Sequence, residues 1–182
     1  MISLDIFRLS PDVILPKYNS KMSACFDLFY CPTTSSITGY DKNNNYFTRE
    51  LLFGKAVYIN PGDRILMPTG LVMKLREVYS VETFADITRE KEELRQFSVR
   101  LHSNSELSLK RGITMANTEG IVDVDLQQQV YVLLTNIGET VQVIQKNEKI
   151  AMGEVLVNEL VQLTEIKDMP KSYSNVDVNL CN

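Results

Sequence analysis

The sequence is poor in the residues that many kinds of chemistry require. Of 182 residues only His102 is histidine, so a histidine metal cage or a Ser-His-Asp triad would rest on one side chain. His102 therefore reads first as a strand residue. Cysteine is also scarce: Cys25, Cys31 and Cys181 are an odd number and form no C-x-x-C pair, which removes the usual zinc-holding spacing and predicts free thiols in a reducing compartment. There is no basic run: 19 Lys+Arg stand against 23 Asp+Glu, a net charge of −4, so no nucleic-acid partner is expected. No apolar stretch reaches transmembrane length, and "MISLDIF" lacks a basic segment followed by an apolar one. No membrane partner is expected, and the location expected is cytoplasmic.

What is present is β-patterned. With 44% hydrophobic residues the chain can bury a substantial core in one domain. "DIFRL" alternates and stops at Ser10-Pro11, and "KAVYI" runs into the Pro-Gly turn of "NPGDR". "SVRLHS", "RGITMAN", "GIVDVDL", "QQVYVLLTN", "TVQVIQ" and "KIAMGEVLVNELVQL" follow as short runs rich in Val, Ile, Leu and Thr. That spacing predicts a sandwich or barrel.

Two stretches interrupt it. Residues 32–56 include the polar "TTSSITGYDKNNNYFTRE", expected to form a long loop or a solvent-exposed hairpin. In residues 81–97, "VETFADITREKEELRQF" spaces Phe84, Ile87, Leu94 and Phe97 by three, seven and three, which predicts a helix.

Three longer segments occur in a telling order: "RLSPDVILPKYNSKMSACFDLF", "INPGDRILMPTGLVMKL" and "SNSELSLKRGITMANTEGIVDVDLQQQVYVLLTN". Together they resemble the deoxyuridine triphosphatase (dUTPase) family, over residues 5 to about 165 once the interruptions are set aside. The resemblance implies an all-β fold, a distorted jelly roll or β-barrel, with one long polar loop insertion and one short helical insertion. It implies one domain over 1–165, with insertions at about 32–56 and 77–98, and a tail or arm at 166–182. It also implies a homotrimer that splits dUTP into dUMP and pyrophosphate, using magnesium carried with the triphosphate. The eroded motifs and the insertions are in the style of a viral member, for which the location would be host cytoplasm or virion.

Residue by residue, the resemblance assigns Asp123 to the water-activating carboxylate and Asp27 to a magnesium contact through water. A carboxylate on a rigid strand suits a general base, and one oxygen ligand behind a water suits magnesium. Without the resemblance, Asp123 and Asp125 read as two solvent-facing carboxylates, which alternation puts on the same side of a strand. The resemblance further assigns Asn117 and Gly120 to a hairpin reading the base, Ser105 to a phosphate and Leu126 to the sugar. Asp125 matches a second acidic position, structural or interfacial.

The chain also departs from the family. Asn104 stands where an arginine binds phosphate, Glu106 where a glycine lets phosphate approach, and Leu126 where an aromatic packs on the deoxyribose. The fourth motif, usually Gly-Asp-Arg-Ile-Ala-Gln, is "NEKIAM" (147–152), with Met152 in place of glutamine. The glycine-rich closing arm is missing from "MPKSYSNVDVNLCN". Lys110, Arg111 and Lys171 are substitutes in principle, though each reads more simply as a surface or structural charge. Two readings stay open. One is an active dUTPase with a different phosphate clamp. The other is the same fold serving as a structural (virion head or decoration) or regulatory binding protein, with insertions and tail contacting other structural proteins. A related deoxycytidine triphosphate deaminase lacks matching acid and base residues.

Overall fold

The computed structural model describes residues 3–51, 55–75, 81–84, 87–90, 96–123, 126, 128–159 and 161–165. Among these, strands dominate and the only helix is α1 (Ser105–Arg111). One antiparallel sheet of four strands has the order β12 (Gly120–Asp123), β10 (Gln96–Ser103), β15 (Lys149–Asn158), β2 (Phe26–Phe29). A five-stranded sheet has the order β11 (Ile113–Met115), β13 (Tyr131–Asn136), β6 (Arg64–Pro68), β3 (Ser36–Tyr40), β4 (Tyr46–Glu50). Two further pairs complete the framework: β1 (Leu4–Arg8) with β7 (Leu71–Leu75), and β5 (Val57–Ile59) with β14 (Gln142–Ile144).

Alternation explains the core. Along β10, Phe97, Val99 and Leu101 point inward, while Arg100 and His102 are half-exposed. Phe26, Leu28, Val122 and Ala151 join them from the same sheet. They pack in one apolar cluster with Ile65, Met67, Val132 and Leu134 of the five-stranded sheet. Each such side chain stabilises the fold by about 1.5–3 kcal/mol when fully buried. The all-β expectation therefore holds, and no helix among the described residues is long and apolar enough to cross a membrane.

Of the two interruptions, the first takes the hairpin form expected as one of its alternatives and the second does not take the form expected of it. The 32–56 excursion forms the β3–β4 hairpin, and β3 also pairs with β6, so the excursion widens the main sheet. Its tip is tied by the Asp41 carboxylate, which accepts from the backbone of Asn43 and Asn45 at 2.8 and 2.9 Å. The helix expected over 81–97 is not found in the described residues. Here β8 (Val81–Phe84) and β9 (Ile87–Glu90) pair antiparallel, with Thr83 opposite Thr88 and Phe84 opposite Ile87. The spacing of three between Phe84 and Ile87 is also that of two residues opposite each other in a closely connected antiparallel pair. Phe97, counted as the end of the helical pattern, begins the inward series of β10. Residues 91–95 and the 166–182 tail, with Lys171 and Cys181, lie outside the described residues.

Candidate active site

Strand register brings two of the predicted motifs together. Asp27 on β2 lies opposite Met152 on β15, and Met152 lies opposite His102 on β10. Asp27 is only 8% exposed, and its Oδ1 is paired with Lys149 Nζ at 2.5 Å. Lys149 holds the arginine position of the fourth motif and was not singled out in the sequence. Its one local signal was the charge opening the "KIAM" strand, and only the register reveals its partner.

Asn104 and Ser105 join the same cluster through α1. Asn104 is the helix N-cap: its Oδ1 accepts from Glu106 N at 2.9 Å and Leu107 N at 3.4 Å, satisfying donors that a helix start leaves unpaired. Its Nδ2 donates to the Lys149 carbonyl at 3.2 Å. Gly112, at φ 63°, ends the helix in the left-handed conformation that favours glycine. Asn104 thus fastens the helix to β15, a structural task for the residue that replaces an arginine. The helix was legible as Asn before "SELSLKRG", with Glu106 in its first turn and Lys110 and Arg111 in its last.

Ser105 opens the helix and is exposed. Glu106, expected to repel phosphate, is paired with Lys110 at 2.8 Å, and the lysine lowers its carboxyl pKa. Arg111 donates to Gln142 Oε1 at 3.1 Å and also pairs with Glu148 and the Val143 carbonyl. Both cations have structural partners.

Asn117, Gly120, Asp123 and Leu126 lie elsewhere. Asn117 sits in the bend before β12, donating from Nδ2 to the Glu119 carbonyl at 2.7 Å. Its Oδ1 is buried with no hydrogen-bond partner, an arrangement that calls for an incoming donor. Gly120 opens β12, opposite Leu101. A Cβ there would meet the Leu101 side chain at 2.9 Å, so the missing side chain serves packing. Asp123 ends β12, exposed, opposite Ser98. Leu126 packs on the core and donates its backbone N–H to the Asp123 carbonyl at 3.2 Å. Asp125 lies outside the described residues.

Asp123 and Asp27 share the outward face of the four-stranded sheet without being neighbours. The path runs one strand across to Ser98, four residues along β10 to His102, then two strands across to Asp27. At the usual spacings this separates them by roughly 20 Å. One chain gathers Asp27, Lys149, Asn104 and Ser105 at one place, and keeps Asp123 apart from them.

No protein-family model matches the sequence, but individual known proteins resemble it. The deoxyuridine 5'-triphosphate nucleotidohydrolase of Wolinella succinogenes is 27% identical over 171 residues, 94% of this chain and 87% of that protein. That of Nautilia profundicola is 28% identical over 170 residues, 92% of this chain and 91% of its own length. Among solved structures, the dUTPase of Staphylococcus bacteriophage 80alpha superposes with a TM-score of 0.63 at 14% identity, over 92% of this chain and 98% of that one. The structural likeness bears on the fold, and the sequence likeness covers most of the chain. The chain is thus similar in sequence to deoxyuridine 5'-triphosphate nucleotidohydrolases and similar in fold to a phage dUTPase.

Proposed function

We propose that this chain hydrolyses dUTP to dUMP and pyrophosphate, at a site shared between chains of a homotrimer. The observation that carries this reading is the division of the motifs. Asp27, Lys149 and Asn104 are tied together in one chain, while Asp123 stands roughly 20 Å away. A second chain that brings its Asp123 to the first chain's Asp27 completes the site.

In that site the Asp123 carboxylate accepts a proton from water as the water oxygen attacks the α-phosphorus. The bond from that phosphorus to its bridging oxygen breaks, and pyrophosphate leaves. An exposed carboxylate at the end of a paired strand is held firmly and is open to a water, as a general base must be. The unpaired Asn117 Oδ1 suits a ring N–H donor such as that of uracil. Leu126 offers an apolar surface to the sugar, and Ser105 a hydroxyl to a phosphate. Asp27 fits magnesium held through a water: Lys149 engages Oδ1, which leaves Oδ2 to accept from a water on the ion. Bound there, magnesium would neutralise charge on the phosphates.

One observation favours a second reading, a fold kept for structural or regulatory binding. Lys149, Lys110 and Arg111 are each paired with a carboxylate of the same chain, and Asn104 is committed to its cap, so none of these four described residues is a free phosphate-binding group.

Pyrophosphate release from dUTP with magnesium tests both readings. The expected result is turnover that falls by about 10²–10⁴-fold in Asp123→Asn. Absence of release from the native chain, whether or not dUMP binds in a parallel titration, would leave the second reading.

A further inference from the structure

Beside Asp27, the outward face of the four-stranded sheet carries a cluster that dUTP hydrolysis does not use. Cys25 lies in the bend that leads into β2, His102 lies on β10, and Glu154 lies on β15 two residues beyond Met152. One thiol sulfur, one imidazole nitrogen and one carboxylate oxygen lie within 4.8 Å of one another. His102 Nε2 and Glu154 Oε2 are 3.3 Å apart, and their side chains are 33% and 32% exposed, open to an ion arriving from solvent. Cys25 is a free thiol of intermediate burial. Three separate segments thus contribute one donor each, and the chain's only histidine is among them.

We propose that Cys25, His102 and Glu154 form a binding site for a soft divalent transition-metal ion of the zinc class, with water as the fourth ligand. Tetrahedral zinc holds sulfur at about 2.3 Å, nitrogen at about 2.0–2.1 Å and carboxylate oxygen at about 2.0–2.2 Å. Ligand atoms on that geometry stand roughly 3.3–3.8 Å apart. The cluster therefore closes on the ion by side-chain adjustments of about 1 Å or less, with the strands in place. Thiolate and imidazole are poor ligands for magnesium and good ones for zinc or cobalt. This site is therefore distinct in its ion from the oxygen-only contact at Asp27, two residues along the chain. The neighbouring cations do not block it: Arg100 is held by Glu119 at 3.0 Å and Lys149 by Asp27. Bound metal joins the segment before β2 to β10 and β15, and so clasps three strands of one sheet.

Cobalt provides the test, because a thiolate ligand gives it a charge-transfer band that nitrogen and oxygen ligands do not. The full chain, stripped with a chelator, is titrated with Co²⁺. The expected result is one ion per chain, with that band, displaced by equimolar Zn²⁺ and not by about a hundredfold excess of Mg²⁺. Cys25→Ser should abolish the band, and His102→Ala and Glu154→Gln should each weaken binding by at least about tenfold. Circular dichroism of each metal-free variant checks its fold. If Cys25→Ser fails to fold, the band in the native chain together with the other two variants decides the matter. The proposal is overturned if no stoichiometric cobalt binds below about 0.1 mM, if the three variants bind as the native chain does, or if the band survives Cys25→Ser. None of these readouts depends on dUTP turnover.

Discussion

Asp63 and Asp27 are both shielded from water, at 2% and 8% exposure, yet their surroundings are opposite in kind. Asp63 ends the "NPGDR" turn, where its Oδ2 accepts from Arg49 at 2.7 Å and from Asn60 N at 3.0 Å. Its neighbour Asn136, also buried, donates to the carbonyls of Ile59 and Thr140 and accepts from Gly138 N. Polar groups there are matched to partners, and the result is a rigid corner. Asp27 pairs with Lys149, on a face where Cys25, His102 and Glu154 stand half-exposed. Asp63 holds the chain in place, while Asp27 is kept available. Burial alone does not separate structure from function; the degree of satisfaction does.

That contrast can be broken by substitution. Asp63→Ala should cost about 2–4 kcal/mol in urea unfolding, less than a wholly buried pair because Arg49 is a third exposed. Asn104→Ala removes a helix cap and should cost about 1 kcal/mol by the same assay. Asp27→Asn should cost no more than about 1 kcal/mol, because Lys149 can turn to solvent, while pyrophosphate release falls at least about tenfold. An Asp27 variant as unstable as the Asp63 variant, with turnover intact, would erase the distinction.

The smallest effect concerns pH. Lys146, then Ser10, hold the Asp12 carboxyl down to about 2 from an ordinary 3.8. A carboxylate with a lowered folded-state pKa contributes stability above its unfolded value and loses it as pH falls. The Asp12 contribution should therefore fade between about pH 4 and about pH 2. The pair lies at the surface, with Lys146 about a third and Asp12 about half exposed, so solvent screening keeps the effect slight. Melting temperatures across that window should fall less steeply in Asp12→Asn than in the native chain. Coincident slopes would mean that the pair contributes nothing.

Much of this was legible in residue patterns, because strands announce themselves locally. Alternation along "FSVRLHS" marks which residues face the core, and "NPGDR" marks a turn wherever it lies. The helix was misplaced because apolar spacings of three and seven fit a helix and are also met in a hairpin followed by a strand. The real helix buries only Leu107, so its signal was in its caps. Candidate site residues such as Asp27 and Asp123 could be proposed from motif order. Their partners could not, because pairing register is a long-range property. Nothing near residue 27 announces Lys149, and nothing near residue 25 announces His102 and Glu154.

The roughly 20 Å between Asp27 and Asp123 has a consequence for inheritance. If each site takes one aspartate from each of two neighbouring chains, Asp27→Asn and Asp123→Asn chains are defective for complementary reasons. Mixed in equal amounts and allowed to exchange, they would build trimers in which about one quarter of the sites carry both native aspartates. Two dead alleles would then restore a live enzyme between them, and a single dead allele would damage sites on chains it does not encode.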